Sequence, residues 1–352
     1  MEEKRIIDGH VHIYSPEALP FLQNYISDAG LSSVCIASCG CFGDGRAAEQ
    51  LLLSLLLKRR DPSLFAYGSL IYPETPVRSM PGDWAPEAQA KTLMDMGFDG
   101  VKMLETKPGS RKMLGLPLDS PVYEPFFQYL EENRVPMLWH VADPRTFWDK
   151  AKAPAFAVEN GWTYDDTYLT FEQSMDEVFH VLDRHPRLQV AFAHFFFHSD
   201  AMDAAQAILD KYDAVCFDIT PGIEMYENFS LDPAAWRAFF TKNAPRILLG
   251  TDSDEFCTCV MCETEKSPVQ TLRHIRRFLE TDDTFSFWDR TMHGVALPET
   301  ALAAIYAGNF IRRTGAEPRP VNEARIRAYA APLLPYVQDA AIRAWIEKEL
   351  AL

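Results

Sequence analysis

Ile7-Asp8-Gly9-His10-Val11-His12-Ile13-Tyr14 carries two histidines, alternating with aliphatic residues, at the end of the first apolar run of the chain. In an extended strand residues i and i+2 share a face, so His10 and His12 project side by side. Two neutral imidazoles placed this way can grip one metal ion. The stretch also bears on the fold. A doubly wound open sheet wants a glycine-rich phosphate turn after its first strand. His-Val-His-Ile-Tyr-Ser-Pro stands in that place instead.

Beyond this segment the chain alternates. Strands are expected over Arg5–Ile13, Ser33–Ser38, Leu64–Ile71, Phe98–Leu104, Val135–Val141, Leu188–His194, Ala214–Thr220 and Arg246–Asp252. Most are near-continuous apolar runs such as Val-Cys-Ile-Ala, the pattern of parallel strands buried on both faces. Amphipathic helices are expected over Arg46–Arg60, Pro86–Gly97, Val122–Asn133, Phe171–His185, Asp200–Tyr212, Pro233–Asn243 and Ser267–Glu280. Such an alternation predicts an α/β fold, a (β/α)8 TIM barrel, with residues 1–313 as the barrel domain and 314–352 as a C-terminal helical extension. The late stretches Pro298–Arg313 and Pro320–Leu352 are expected to be helical, closing the barrel bottom or forming a subunit contact and hence a homodimer. Asp143–Thr170, with Trp148, Trp162, Tyr164 and Tyr168, is long enough to be a lid. Its aromatics suggest a partly apolar or ring-containing ligand. Pro221–Leu231 and Ser253–Lys266 are further candidates for pocket walls.

Composition excludes some partners. The 352 residues are 47% hydrophobic and 24% charged, ordinary for a soluble globular protein, and the formal net charge is −16. Acidic balance and dispersed basic residues argue against nucleic acid or an anionic membrane as a partner. No apolar run approaches membrane-spanning length. Met1-Glu2-Glu3-Lys4-Arg5 offers no apolar signal segment, so the seven cysteines are expected as reduced thiols in the cytoplasm. Cys257, Cys259 and Cys262, with Cys39 and Cys41, fall on the catalytic side. Their spacing is short of a paired Cys-x-x-Cys pattern, so buried free thiols are the better expectation than a thiolate metal site.

The strand ends carry the chemistry. His140 closes the fifth strand, His194 the sixth and Asp252 the eighth. Active sites of this fold lie at the C-terminal ends of the strands, and a buried carboxylate without a cation nearby is costly. His10, His12 and His140 are therefore read as nitrogen donors and Asp252 as an oxygen donor to one divalent metal ion. Zinc suits the set best; manganese, iron or cobalt are admissible by geometry. Asp252 can also accept a proton from the attacking water. His194 can polarise a carbonyl, orient the water or add a ligand.

These motifs resemble the amidohydrolase superfamily, in its amidohydrolase-related, aminocarboxymuconate-semialdehyde decarboxylase-like branch. The resemblance rests on Ile7 to His12, on Trp139-His140-Val141-Ala142-Asp143, Ala193-His194-Phe195, Gly250-Thr251-Asp252 and Tyr306-Ala307-Gly308-Asn309-Phe310, and spans roughly Arg5 to Arg313. It implies that His10, His12, His140 and Asp252 bind the metal and that His194 is catalytic. Lys102 stands where two-metal members carry a carbamylated lysine. A substrate charge, or an ion pair with Glu105 or Asp8, is the better expectation. The family's sixth-strand histidine tends to precede a glycine-containing segment; here Phe195-Phe196-Phe197-His198 follows.

His198, Glu224, Tyr226, Lys102 and Arg145 are candidate substrate-binding residues, with Lys107 a further cation. The expected activity is metal-dependent hydrolysis of a small organic substrate: metal-activated water attacks a carbonyl-type carbon, Asp252 acts as general base and His194 assists. The alternative is a decarboxylase or hydratase acting on a carboxylate-bearing substrate. A barrel that holds metal or ligand without turnover is a third reading, opposed by the complete acid–base set.

Overall fold

In the computed structural model, residues 5–40, 46–72, 85–222, 224–256, 267–287 and 290–352 are described. The strands are β1 (Ile7–Val11), β2 (Ser33–Ala37), β3 (Phe65–Ser69), β4 (Gly100–Thr106), β5 (Met137–Val141), β6 (Val190–Phe192), β7 (Cys216–Asp218) and β8 (Ile247–Leu248). They pair in parallel in the order β1 to β8. Gly9 N–H donates to Leu249 O, His12 N–H to Ser253 O and Asp252 N–H to His10 O, so backbone hydrogen bonds join the last strand to the first. The fold is a (β/α)8 barrel with extra helices, as the alternation predicts.

The period-2 alternation separates two cores. Cys35, Ala37, Phe65, Tyr67, Leu138, Ala191, Cys216 and Leu248 face the barrel interior, where Ala307 and Phe310 join them. Phe310 packs on Phe65 and Tyr67 at centroid distances of 5.0 and 6.4 Å. The other faces, among them Val34, Ile36, Val101, Trp139, Phe192 and Phe217, meet the surrounding helices. Most strands are shorter than expected, at one end or both, whereas β4 runs two residues further, to Thr106.

A bulge in β1 aims the paired histidines. Three residue steps from Asp8 to Val11 stand against two from Val34 to Ile36 on β2. The extra residue changes the parity of the strand. Ile7 faces the interior, and beyond the bulge His10 and His12 do so as well, while Val11 packs outward.

Helices cover the outside, including Arg46–Arg60 and Pro233–Asn243 at the expected bounds. One further helix, Ala18–Ala29, ends on a left-handed Gly30, and Thr284–Phe287 pairs with Arg290–His293 as an antiparallel hairpin. Beyond Arg313, helix Glu323–Leu333 packs on helix Pro86–Met96, and helix Ala340–Leu350 on helix Arg46–Arg60. Arg319 N–H donates to Asp99 Oδ1 at 2.7 Å and Asn322 N–H to Met96 O at 3.0 Å, so the segment is laid along the barrel flank. Among the described residues no helix is long and apolar enough to cross a membrane.

Candidate metal centre

His10, His12 and Asp252 converge, each offering one donor atom, all three within 4.8 Å of one another. Asp252 Oδ1 lies 2.8 Å from His12 Nε2 and 3.5 Å from His10 Nε2. The far nitrogens are spoken for. His12 Nδ1 donates to Ala37 O at 2.6 Å, and His10 Nδ1 to Asp218 Oδ2 at 2.9 Å. Protons held on Nδ1 leave the Nε2 lone pairs directed at a shared point. Asp252 reaches that point from a left-handed backbone, φ 59°.

The electrostatics fit a cation. Burial, with the Lys102 ammonium beside it, holds His10 well below the ordinary imidazole value. For His12, burial is outweighed by Cys39 and Asp252, and its pKa is driven well above that value. The Asp252 carboxyl, against its own burial, is held well below the carboxylate range by His12. The buried Lys102 Nζ lies 2.8 Å from His10 Nε2, and Asp252 Oδ1 2.8 Å from His12 Nε2. Two imidazoles and a carboxylate in this arrangement fit a divalent metal ion.

Beside the trio stand two more histidines. His140 and His194 meet edge to face at 4.8 Å, and His194 lies 5.9 Å from His10. Burial, with Lys107 nearby, lowers His140 to about 4, and burial, with His140 nearby, lowers His194 to about 4; both are neutral at pH 7. The structure sets His140 next to the trio rather than within it. Its Nε2 lies 3.1 Å from Ala142 O and 3.5 Å from Asp143 Oδ1. His194 Nδ1 approaches Thr220 O at 3.3 Å, which leaves Nε2 as an acceptor toward the pocket.

Of the candidate substrate residues, Lys102 is at the centre, and neither Glu105 nor Asp8 holds it. Glu105 accepts from Tyr72, and Asp8 from Tyr25 and Thr251. Arg145 is turned to the lid surface, on Glu172 and 3.8 Å above the Phe171 ring, because a half-exposed guanidinium finds its carboxylate there. Tyr226 is 1% exposed and donates to Ile219 O at 2.7 Å, inside a cluster with Phe229 and Phe278; it supports the β7 loop and does not reach the pocket. His198 is held by Phe196 O at 2.5 Å and stacks on the Phe196 ring. Glu224 stands on the loop after β7, raised to about 7 by burial and by Asp200. Lys107 pairs with Asp143 at 2.6 Å over the Trp162 ring. The lid aromatics pack on themselves, with Phe147 and Tyr164 as their core, and so do not form a ligand platform. Cys257, Cys259, Cys262 and Cys41 lie outside the described residues. Cys39 is a buried free thiol, its Sγ 3.4 Å from His12 Nδ1.

Sequence reasoning gave Asp218 and Thr220 no role of their own; it named Cys39 as a buried free thiol and Phe197 as part of the aromatic run after His194 without setting either beside a particular histidine. The Phe197 ring lies 5.6 Å from His140 and 5.4 Å from His194, forming an apolar wall. A carboxylate at the end of β7 was the one available signal for Asp218. Gly250 was also missed as a determinant of the site. A Cβ there would stand 2.3 Å from Thr220 Oγ1 and 2.9 Å from His10 Cβ. Gly250→Ala is therefore expected to push His10 off its partner and lower uptake of a divalent metal at least about tenfold, read by elemental analysis of folded protein. Unchanged metal content would show that the close approach is not needed.

The family profile described as "Amidohydrolase" matches residues 66–312. No curated protein matches the chain in sequence. Similar solved structures include a probable 2-pyrone-4,6-dicarboxylic acid hydrolase from Acinetobacter baumannii, 10% identical, covering 88% of this chain and 99% of that one, with TM-score 0.57. A 4-oxalomesaconate hydratase from Rhodopseudomonas palustris is 14% identical, with coverages of 93% and 98% and TM-score 0.54. A 2,6-dihydroxybenzoate decarboxylase from Rhizobium is 16% identical, with coverages of 88% and 98% and TM-score 0.51. At these identities the likeness is one of fold.

Proposed function

Since the chain belongs to the amidohydrolase family and is an enzyme, we propose that it is a metal-dependent hydrolase of a small organic substrate, with zinc on His10, His12 and Asp252. The observation that carries this reading is the convergence of those three side chains, with both Nδ1 atoms already bonded. A divalent ion bound there supplies Lewis acidity and makes water a competent nucleophile at neutral pH. Asp252 holds the proton taken from the attacking water and passes it to the leaving group. His194, neutral and with Nε2 facing the pocket, orients the water or polarises the substrate carbonyl. His140, edge to face with His194 at 4.8 Å, is the further candidate donor of this reading. The Phe197 ring gives that side an apolar face against His140 and His194.

A second reading has its own observation. Lys102 places a buried amine beside the trio, where it would pair with a substrate carboxylate. That favours a decarboxylase or hydratase, the activities by which two of the structural neighbours are named. A panel holding 2-pyrone-4,6-dicarboxylate, 2,6-dihydroxybenzoate and 4-oxalomesaconate, run in H₂¹⁸O, separates the readings. Hydrolysis leaves one ¹⁸O in a ring-opened or cleaved product. Carbon dioxide release without ¹⁸O in the other product would overturn it in favour of decarboxylation, and ¹⁸O in an uncleaved adduct in favour of hydration. In the lyase case Lys102→Met raises KM for the carboxylate substrate at least about tenfold; in the hydrolase case it chiefly changes metal loading.

A further inference from the structure

Asp218, at the end of β7 and 2% exposed, uses both carboxylate oxygens on the two histidines that face the pocket. Oδ2 accepts from His10 Nδ1 at 2.9 Å. Oδ1 accepts from the backbone N–H of His194 at 2.8 Å and from that of Thr220 at 3.1 Å. Thr220 completes the arrangement, with Oγ1 3.2 Å from His10 Nδ1 and its carbonyl 3.3 Å from His194 Nδ1. We propose that Asp218 is a positioning residue that sets, with one carboxylate, the tautomer of the ligand His10 and the seat of His194, so that the two imidazoles are aligned as a unit. The proposal rests on the metal-dependent reading given above.

The physical case has two halves. A neutral imidazole carries one N–H, and a carboxylate opposite Nδ1 keeps that proton there. The opposite tautomer would set a lone pair against a negative charge and would turn an N–H, in place of a lone pair, toward the metal position. The second half concerns His194, the first of four consecutive non-glycine residues in the left-handed region, with φ of 54°, 55°, 54° and 53° from His194 to Phe197. Each such residue costs about 1–2 kcal/mol. The captured N–H of His194 anchors the start of that run, and its position depends on where Oδ1 lies. Because Oδ1 and Oδ2 belong to one planar group, a shift at His10 is felt at His194.

Asparagine cannot serve both sides. Its amide has one acceptor oxygen and one NH₂. With the oxygen toward His10, the NH₂ opposes two backbone N–H groups. With the oxygen toward the backbone, the NH₂ forces the His10 proton to Nε2.

The test begins with the wild-type protein stripped of metal. In ¹⁵N-labelled protein at pH 7.5, the His10 ring should report the Nδ1–H tautomer; an Nε2–H tautomer overturns the proposal whether or not any variant folds. Zinc affinity is then measured by chelator competition. Asp218→Asn is expected to weaken it about 10- to 100-fold, to change the His10 tautomer signature, and to speed hydrogen exchange at the His194 amide. Thr220→Val should weaken zinc by less than Asp218→Asn. An Asp218→Asn protein that folds and keeps wild-type zinc affinity and His194 protection shows no coupling and overturns the proposal. If the wild-type protein binds zinc no better than His10→Ala, the metal-dependent reading fails, and the tautomer and exchange results on apo protein still decide the role of Asp218.

Discussion

If the proposed metal-dependent reading holds, Asp252→Asn and His10→Ala are each expected to remove the metal and the activity together, from about one divalent ion per chain to less than about a tenth, with turnover down roughly 10³-fold or more. The reason is that the proposed reading gives Asp252 two duties. Its Oδ1 is the shared contact of both imidazoles, 2.8 Å from one and 3.5 Å from the other, and the reading makes the same carboxylate the base for the attacking water. An amide has the shape but neither the charge nor the proton affinity. Removing the carboxylate also takes from His12 the anion 2.8 Å away, so a cation becomes harder to accommodate. His10→Ala removes one donor and strands Asp218. Elemental analysis and the substrate panel, with thermal unfolding as a folding control, check both variants. A folded Asp252→Asn enzyme with full activity would sink the assignment.

Phe195→Ala should destabilise the protein by about 3–5 kcal/mol, and Phe195→Gly by about 1 kcal/mol less than that. Phe195 is fully buried. Its ring lies 5.0 Å from those of Phe217 and Phe229, 5.6 Å from Trp236, and 5.7 and 5.9 Å from Phe239 and Phe240. Truncation to alanine loses that packing and keeps the left-handed backbone, φ 55°. Glycine loses the same packing but carries no Cβ penalty at that φ. The usual order of alanine over glycine is thereby reversed. Denaturant midpoints at constant m-value measure it; alanine more stable than glycine would show that the run is not strained. The aromatic burial of Phe195, and of Phe196 stacked on Phe192 at 3.9 Å, offsets the backbone cost of holding His194 and Phe197 toward the pocket.

The barrel was legible because its signals are local. Val-Cys-Ile-Ala and Ile-Leu-Leu-Gly are apolar over whole strands, and helices such as Arg46–Arg60 keep their expected bounds. His10, His12 and Asp252 were legible for a related reason: parity within a strand and position at a strand end are properties of the chain itself. Arg145 and Tyr226 were misplaced because their destinations depend on distant partners. Glu172 claims the first and the Ile219 carbonyl the second. The residue types alone carry no record of that competition.

From sequence alone came the eightfold alternation and the polar residues at the strand ends, His10, His12 and Asp252 among them, since periodicity and side-chain chemistry need no knowledge of the rest of the chain. Only the tertiary structure decided how those atoms meet. The β1 bulge, the left-handed turn after β6, the room at Gly250 and the hold of Asp218 on His10 and His194 are set by contacts between strands far apart in sequence. Each depends on backbone angles and pairings that arise when the barrel closes.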